Sequence, residues 1–272
     1  MFIFIEWIIF SIGYAFLFNY FVTSSNYFLF LWIPVGMIFS ILTIILLLLI
    51  FLLLCNPKHP DGKIRHFFAR NIISIAIHIQ NFRITVIGKE NIPSKETFAG
   101  FANHKSMMDP LFCYYVLKRP NCLIGKQELF KMKIMKLFIR VYKAIPMNRE
   151  DNREAIKSLK IGIECVKSGY PITIFPEGGI KSRESDYMVD LKPGAYKLAT
   201  KAEAKILPIS IIGNSKIHNM SFFQKKKVTV IIHKPIEYEY YKNMNTAQIG
   251  EMVQKIIDDG IRNGSVKEAP KL

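Results

Sequence analysis

Charged side chains are almost absent from the first fifth of the chain, where Glu6 is the single acid or base among residues 1–55. All 37 lysines and arginines, and all but one of the 21 acidic residues, lie in residues 56–272, so the positive net charge (+16 for the whole chain) arises there. A field of this sign favours polyanionic partners, namely nucleic acid, anionic lipid headgroups or an acidic carrier protein. Charge by itself does not choose among these three.

Cysteine is also scarce, and its distribution excludes the usual cysteine sites. The four cysteines, Cys55, Cys113, Cys122 and Cys165, show neither C-x-x-C pairing nor the spacing of metal ligands. Their neighbours are apolar, as they are around thiols in the interior of a reduced protein. We therefore expect a reducing compartment and no metal.

Long apolar runs take the place of charge near the amino terminus. Residues 1–22 and 27–55 each reach or exceed the roughly 20 residues that cross about 30 Å of hydrocarbon as a helix. A cleaved signal peptide is the alternative for the first run, but it lacks a cationic start and a small-residue cleavage site. We expect residues 1–55 to form a membrane-anchoring helical hairpin and residues 56–272 to form one further domain.

The charges around the two runs predict an orientation. The connection TSSN is short and uncharged, whereas four cations closely follow the second run: Lys58, Lys63, Arg65 and Arg70. Because a cationic flank belongs on the cytoplasmic side, we expect both ends of the hairpin to lie inside the cell. Glu6, Asn19 and Pro34 leave room for a tilted or partly re-entrant pair, and the sequence does not separate that arrangement from full spanning.

Short β-rich runs alternate with helical runs in the rest of the chain. The predicted strands are residues 82–88, 97–103, 121–125, 171–175, 204–212 and 227–233. Helical periods fit residues 64–80, 110–118, 127–143, 151–168, 193–203 and 246–262. This alternation predicts an α/β fold in which helices pack against a sheet.

The predicted helix 127–143 carries a basic stripe. Its four cations, Lys133, Lys136, Arg140 and Lys143, fall on one side of the helix, with apolar residues beside them. Such a surface suits a helix that lies on anionic lipid. An ordinary surface helix whose apolar side packs on the core fits equally well, so both interpretations stay open.

The stretch FANHKSMMDP, residues 101–110, combines a histidine and an aspartate just after a predicted strand. In one continuous helix His104 and Asp109 would lie about 140° apart and could not meet. Asp109-Pro110 instead predicts an N-cap and the first residue of a helix, which leaves residues 103–108 as a loop. Asp109 could then accept a hydrogen bond from one ring nitrogen and leave the other as a base.

This stretch has two other interpretations. Asp109 could be only a helix cap and His104 only a residue at a strand end. Ser106 could be the third member of a hydrolase triad, but no G-x-S-x-G elbow surrounds it. We expect no covalent intermediate.

Three further stretches carry weaker signals. A strand runs directly into Glu177, Gly178 and Gly179, where glycine allows close approach to a ligand, and Lys181 and Arg183 follow. Arg149 comes just after a short strand and before a helix, and Lys126 follows another strand. Taken singly, these cations are typical of a solvated surface.

Taken in chain order over residues 80–235, these stretches resemble the lysophosphatidate acyltransferase family, the 1-acyl-sn-glycerol-3-phosphate acyltransferases within the wider glycerolipid acyltransferases. Asn103-His104 with Asp109 fits the N-H-x-x-x-x-D block, and residues 145–149 fit the block that ends in a phosphate-binding arginine. Residues 175–178 fit the F-P-E-G block, and residues 206–209 fit the final apolar block with its proline. The chain departs from the family after F-P-E-G, where Gly179-Ile180 replaces the usual Thr-Arg.

The resemblance implies a mixed sheet flanked by helices and acyl transfer to the sn-2 hydroxyl of lysophosphatidate. The co-substrate would be acyl-CoA or acyl-acyl carrier protein, with no bound cofactor or metal. His104 would act as general base and Asp109 would orient it, while backbone amides near His104 would hold the oxyanion. By resemblance, Arg149 with help from Lys126 would bind the acceptor phosphate, and Glu177 with Gly178 would shape its pocket. Lys181 and Arg183 are further candidates for substrate binding because their charges can attract an anion.

The implied partners are anionic membrane lipids and the lysophospholipid acceptor, with an acyl carrier protein as an alternative donor and no nucleic acid. The implied location is the cell membrane, with the catalytic domain on its cytoplasmic face. An acyltransferase for glycerol-3-phosphate or for a phosphate-free lysolipid would share every block. A membrane-anchored basic binding module is the non-enzymatic alternative, although the sequence has no recognised nucleic-acid motif.

Overall fold

The computed structural model describes residues 2–23, 29–54, 63–131 and 144–268. The chain divides into two compact units, Met1–Asn56 and Pro57–Leu272. The basic stripe of Lys133, Lys136, Arg140 and Lys143 lies outside the described residues. Of the predicted helix 127–143, the described part is a 3₁₀ turn at Gln127–Lys131.

The first unit is made of two apolar helices. Helix α1 (Phe2–Phe18) continues into a π-helical turn at Asn19–Thr23, and α2 (Leu29–Leu54) contains Pro34. The segments Ile5–Thr23 and Leu29–Leu47 are long and apolar enough to cross a membrane, judged by length and composition. The unit is therefore suited to membrane association.

Small and hydroxylic residues bring the two helices together. The hydroxyl groups of Ser11 and Ser40 are hydrogen-bonded at 2.9 Å, and the Phe18 and Trp32 rings lie 5.7 Å apart. The Trp32 indole also donates to the Thr23 hydroxyl, so the end of the first helical segment contacts the start of α2. A Cβ atom at Gly36 would lie 2.4 Å from the Ser11 carbonyl oxygen, so glycine is required for this approach. Close contact at small residues, reinforced by hydroxyl hydrogen bonds, is the usual way in which helices associate in lipid.

The second unit alternates strands and helices in the order that the sequence predicts. It begins with α3 (Lys63–Ile79), β1 (Phe82–Ile87), β2 (Phe98–Ala102), α4 (Asp109–Leu117) and β3 (Cys122–Lys126). It continues with β4 (Ala144–Met147), α5 (Asn152–Lys167), β5 (Ile172–Ile174), α6 (Lys197–Thr200) and β6 (Lys205–Ile212). It closes with β7 (Lys226–Ile232), α7 (Tyr238–Tyr241) and α8 (Thr246–Asn263).

The seven strands form one mixed sheet in the order β1-β7-β6-β2-β5-β3-β4. Neighbouring strands are parallel throughout, except that β6 and β7 are antiparallel. Strands β2 to β6 therefore all end at one edge of the sheet, and β1 and β7 begin there. The predicted α/β fold with a mixed sheet is confirmed.

Burial on both sides explains why the central strands are almost continuously apolar. Every residue of β2, Phe98–Ala102, is buried, as expected for a parallel strand that helices cover on both faces. On α8 the apolar residues Ile249, Val253, Ile256 and Ile257 recur at helical spacing and form its buried face. This packing holds the strand ends, and the loops that follow them, in fixed positions.

Candidate active site

The loops that carry the candidate catalytic and binding residues meet at the edge where β2 to β6 end. His104 follows β2, Arg149 follows β4, Glu177 follows β5 and Asn214 follows β6, while Lys126 is the last residue of β3. The carboxyl ends of parallel strands are where α/β proteins usually bind ligands. The topology thus gathers residues that are more than 100 positions apart in the chain.

His104 and Asp109 contact each other as the sequence predicts. The Nδ1 atom of His104 lies 3.0 Å from Asp109 Oδ2, and the carboxyl group of Asp109 is fully buried. The same oxygen accepts hydrogen bonds from the backbone amides of Lys105 and Ser106, each at 2.7 Å. Its second oxygen accepts one from Asn214 Nδ2 at 3.0 Å. Four donors therefore hold the carboxylate in one orientation.

The prediction that Asp109 caps helix α4 is wrong. The helix begins at Asp109 itself, Met108 occupies the N-cap position, and no side chain caps the helix. The Asp109 carboxylate points back to the loop, because the amides of Lys105 and Ser106 and the His104 ring lie on that side. The aspartate therefore serves the histidine loop rather than the helix.

The His104 ring is held from two sides and is slightly exposed. It stacks on the Phe175 ring with centroids 4.3 Å apart, and 8% of the residue is exposed. Since an ionised carboxylate only accepts hydrogen bonds, we assign the ring proton to Nδ1. Within the described residues no protein group bonds to Nε2. That nitrogen is left with its lone pair available.

A buried ion pair, which the sequence did not predict, braces the histidine loop. Lys105 Nζ lies 2.6 Å from Glu177 Oε2, and both side chains have no exposed surface. The other oxygen of Glu177 accepts the backbone amide of His104 at 2.7 Å. Burial raises the pKa of Glu177, while Lys105 and the amides of His104 and Val189 oppose that shift. Because both oxygens are occupied, this carboxylate joins the F-P-E-G block to the histidine block instead of lining a ligand pocket.

Asn103 attaches the start of the loop to the neighbouring strand. Its Oδ1 accepts the Ile211 amide at 2.7 Å, and its Nδ2 donates to the Ile211 carbonyl at 2.8 Å. Asp186 accepts the amides of Gly213 and Ser215 and so holds the adjoining loop, which carries Asn214. The sequence signal for Asn103 was its place beside His104, whereas Asn214 and Asp186 gave none.

The expected oxyanion donors near His104 are engaged elsewhere. The amides of residues 104, 105 and 106 donate to the carboxylates of Glu177 and Asp109. The amide of Met108 donates to Ser106 Oγ, and the amide of Asp109 donates to the Ser106 carbonyl. These five amides build the loop, so the expectation that amides around His104 hold an oxyanion is not met by them. Ser106 also belongs to this turn.

An apolar groove of about 960 Å³ borders the site. Its walls come from β3, β4, β5 and α5 and include Ile124, Met147, Leu159, Ile163, Ile174 and Phe175. Five cations line the same groove: Arg149, Lys160, Lys192, Lys197 and Lys201. Phe175 contacts both the groove and the His104 ring. The groove therefore combines apolar volume with positive charge, and Phe175 links its lining to the His104 ring.

Two of these cations flank the glycine turn of residues 178–179. A Cβ atom at Gly179 would lie 3.0 Å from Arg149 Nη1, so the missing side chain makes room for the guanidinium. The stem of Lys192 covers Gly178, with its Cε atom 2.9 Å from the position of a Cβ there. Desolvation lowers the pKa of Arg149, which Glu128 partly offsets. Among the described residues, neither Arg149 nor Lys192 has a salt-bridge partner.

The other predicted substrate-binding cations are absent from the described groove lining. Lys126 lies 3.6 Å from Glu128 in an exposed ion pair. Arg183 donates through Nε to the Lys105 carbonyl at 3.2 Å, and Lys181 is exposed. Gly178 and Arg149 do line the groove, and Lys192 is the cation that the sequence analysis missed. Its signal was faint because a lysine in a loop is usually only solvated.

Known proteins share this sequence pattern and this fold. Residues 83–212 match the acyltransferase family. The chloroplastic 1-acyl-sn-glycerol-3-phosphate acyltransferase of Arabidopsis thaliana is 32% identical over 68% of this chain and 52% of the relative. The 1-acyl-sn-glycerol-3-phosphate acyltransferase of Borreliella burgdorferi is 29% identical over 72% of this chain and 80% of the relative. The matched region thus spans about half the length of the plant relative.

A solved structure supports the fold. The crystal structure of the 1-acyl-sn-glycerophosphate acyltransferase from Thermotoga maritima has a TM-score of 0.64 and 22% sequence identity to this chain. The match covers 82% of this chain and 89% of that one. The solved structure shows the shared fold, while the family match and the sequence relatives show that residues 83–212 of this chain form a domain of the acyltransferase family.

Proposed function

We propose that this chain is a 1-acylglycerol-3-phosphate O-acyltransferase, which moves a fatty acyl group from an acyl thioester to the sn-2 hydroxyl of lysophosphatidate. The observation that carries the proposal is the His104–Asp109 pair, which adjoins an apolar groove with unpaired cations among the described residues. The names of the Arabidopsis and Borreliella relatives support the same acceptor. The products are phosphatidate and a thiol.

In the proposed mechanism His104 Nε2 takes the proton of the acceptor hydroxyl as its oxygen attacks the thioester carbonyl. An alcohol is a far weaker acid than an imidazolium ion, so proton transfer is concerted with attack. The carbon–oxygen bond forms, the carbon–sulfur bond breaks, and the imidazolium returns its proton to the leaving thiolate. Asp109 stabilises the imidazolium through the 3.0 Å hydrogen bond to Nδ1.

Lys105 and Glu177 act as positioning residues in this mechanism. Their ion pair and the bond from the His104 amide to Glu177 fix the backbone that carries the base. A base that is already oriented makes no conformational search during the reaction. The F-P-E-G block thus contributes by holding the histidine loop.

The apolar groove suits an acyl chain, and the cations beside Gly178 and Gly179 suit the acceptor phosphate. Arg149 and Lys192 approach this turn without a salt-bridge partner among the described residues. Phosphate oxygens would supply the missing acceptors through charge-assisted hydrogen bonds. Lys192 would then replace the arginine that is missing at Ile180.

We place the reaction at the cell membrane, with the catalytic unit on the cytoplasmic face. The apolar helices, in which Glu6 is the single charged residue, and the cations that follow residue 57 support this location. The donor, acyl-CoA or acyl-acyl carrier protein, is soluble and anionic. Lys160, Lys197 and Lys201 at the groove would attract either donor.

A panel of acceptors tests the proposal. The full-length chain in lipid nanodiscs would be given labelled acyl-CoA or acyl carrier protein with lysophosphatidate, glycerol-3-phosphate or monoacylglycerol. We expect labelled phosphatidate as the main product. A preference for either of the other acceptors would reassign the substrate, and salt-sensitive DNA binding without any acyl transfer would favour a basic binding module.

The role of Lys192 is tested with a matched lysine of the same groove. We expect Lys192→Met to raise the KM for lysophosphatidate about tenfold or more, because one charge-assisted contact to the phosphate is lost. Lys192→Arg should retain most of the affinity, and Lys197→Met should leave the KM for lysophosphatidate nearly unchanged. Equal effects of the two methionine variants would assign the groove a diffuse positive field instead of a phosphate contact.

A further inference from the structure

The loop between β6 and β7 returns to the same edge of the sheet as the candidate active site. Strand β6 is parallel to β2, so both end at that edge, and β7 is antiparallel to β6 and begins there. Strand β1 is parallel to β7, which places the turn at residues 80–81 on the same edge. The segments 79–81, 103–109 and 213–226 are therefore neighbours at one edge.

A buried lysine holds this loop in shape. Lys226 is 3% exposed, and its Nζ lies 2.7–3.2 Å from four carbonyl oxygens. These oxygens belong to Gln80, Ser221, Phe222 and Gln224. In addition, Asn81 Nδ2 donates to the Phe223 carbonyl at 2.9 Å. Because the carbonyl groups point inward to the ammonium group, the backbone at Phe222 and Phe223 is anchored from within.

The side chains of the two phenylalanines point away from this core. Phe222 is 51% exposed and Phe223 is 81% exposed, and their rings make an edge-to-face contact with each other. Two further apolar residues are exposed at the same edge, Ile79 (57%) and Met107 (67%). Met107 lies in the histidine loop itself. Single exposed apolar residues are ordinary, but these four lie on segments that meet at the edge of the candidate site, and we treat them as one patch.

The charges around the patch indicate which kind of partner it would bind. Residues 213–227 contain four lysines and no acidic residue, and Lys216, Lys225 and Lys227 are exposed. At the opposite edge, by contrast, Lys205 at the start of β6 is paired with Glu96 and Glu237. Within the part of the chain that the structure describes, these three lysines have no salt-bridge partner. Aromatic rings flanked by such lysines suit the interface of an anionic bilayer, where rings enter the headgroup level and lysines contact phosphates.

We propose that Phe222 and Phe223, with Lys216, Lys225 and Lys227, form an interfacial anchor that seats the active-site edge of the second unit on an anionic lipid leaflet. The inference rests on the proposed function only in that the acceptor is a lipid. The contact with lipid is testable without catalysis. The anchor would shorten the path by which a lysolipid headgroup reaches His104 from the membrane.

Depth-dependent fluorescence quenching tests the contact directly. The full-length chain with Trp7→Phe and Trp32→Phe would carry Phe223→Trp, in nanodiscs that contain anionic phospholipid with brominated acyl chains. A matched chain would carry Lys95→Trp, since Lys95 is exposed just before β2 at the opposite edge. We expect strong quenching at position 223 and little at position 95. Equal quenching at the two positions, or none at position 223, overturns the proposal.

A kinetic comparison tests the consequence. We expect the double variant Phe222→Ser and Phe223→Ser to raise the apparent KM for lysophosphatidate in the bilayer about tenfold, because both rings lose their contact with the lipid interface. Its KM for a short-chain lysophosphatidate dissolved as monomers should stay unchanged, and Phe222→Trp with Phe223→Trp should restore bilayer activity. Equal losses on both substrates would overturn the anchoring role. Failure of the wild-type chain to transfer acyl groups would instead reject the proposed function, and the quenching result would stand separately.

Discussion

Two buried histidines of this protein each bond to a polar side chain, but they differ in whether a ring nitrogen remains free. His104 bonds to Asp109 through Nδ1, and within the described residues its Nε2 has no protein partner. His233 has no exposed surface, and both of its nitrogens are occupied: Nδ1 accepts the Lys267 amide at 2.9 Å, and Nε2 lies 2.8 Å from Ser210 Oγ. Ser210 in turn donates to the Ile257 carbonyl at 2.7 Å.

The difference lies in what surrounds each ring. A serine at hydrogen-bond distance from a histidine is the beginning of a hydrolase site, yet the pair of Ser210 and His233 ends on a backbone carbonyl. A Cβ atom at Gly260 would lie 2.4 Å from His233 Cε1, so α8 seals the ring without space for a substrate. His104 borders the groove through Phe175. Within the described residues His104 keeps one ring nitrogen without a protein partner, whereas both nitrogens of His233 are bonded. This difference makes His104 the candidate base and gives His233 a structural role.

Removing His104 should have the largest effect on acyl transfer, and it tests the difference between His104 and His233 most directly. Without a general base, His104→Ala should lower kcat for acyl transfer about 100-fold or more, with thermal unfolding close to that of the parent chain. His233→Ala should leave kcat nearly unchanged and lower the free energy of unfolding, because it removes the acceptor of the Lys267 amide and the ring nitrogen that bonds to Ser210 Oγ in the interior. Steady-state kinetics and unfolding curves of both variants check this, and near-normal turnover of His104→Ala would remove the proposed mechanism.

Breaking the Lys105–Glu177 ion pair should have the second largest effect. It tests whether the candidate site depends on this buried pair. Lys105→Met would leave the Glu177 carboxylate buried without its counter-ion. We expect a loss of about 3–5 kcal/mol in the free energy of unfolding. Adding Glu177→Gln should recover part of that loss, since the uncompensated charge disappears. Chemical denaturation of four chains measures the coupling: the parent, Lys105→Met, Glu177→Gln and the double variant. Additive losses would show that the two side chains are not coupled.

The smallest expected effect is a pH dependence of the free energy of unfolding that arises from His233. Burial, with a contribution from Lys267, lowers the pKa of His233 to about 4. Since an unfolded histidine titrates near 6.5, its stabilising contribution is complete above that pH and is lost as the pH falls toward 4. At about 1.4 kcal/mol per pK unit the loss amounts to roughly 3 kcal/mol.

Thermal unfolding between pH 7 and pH 4 checks this expectation against His233→Gln. The variant should lose stability less steeply with falling pH than the parent chain. Part of the slope should remain, because burial and Arg70 also lower the pKa of His66 to about 4. Identical slopes for the parent chain and the variant would contradict the assignment to His233.

Periodicity predicted the strands well and the contacts of polar residues poorly. The strands β2 and β6 coincide closely with the predicted runs, because burial on both faces makes them continuously apolar. Lys105 was missed because a lysine is almost always at the surface, and only the approach of Glu177 from a distant loop makes burial tolerable. Lys126 was assigned to the substrate by family pattern, whereas the structure pairs it with Glu128.

The sequence by itself determined the two apolar helices, the α/β alternation, the meeting of His104 with Asp109 and the acyltransferase likeness. These follow from local periodicity and from motifs whose members lie close together in the chain. Only the tertiary structure decided that Asp109 turns back to the loop, that Glu177 braces it, that Lys192 joins Arg149, and that Phe222 and Phe223 share the edge of the site. The physical reason is that parallel strands carry distant loops to one edge, and no local pattern encodes which side chains meet there.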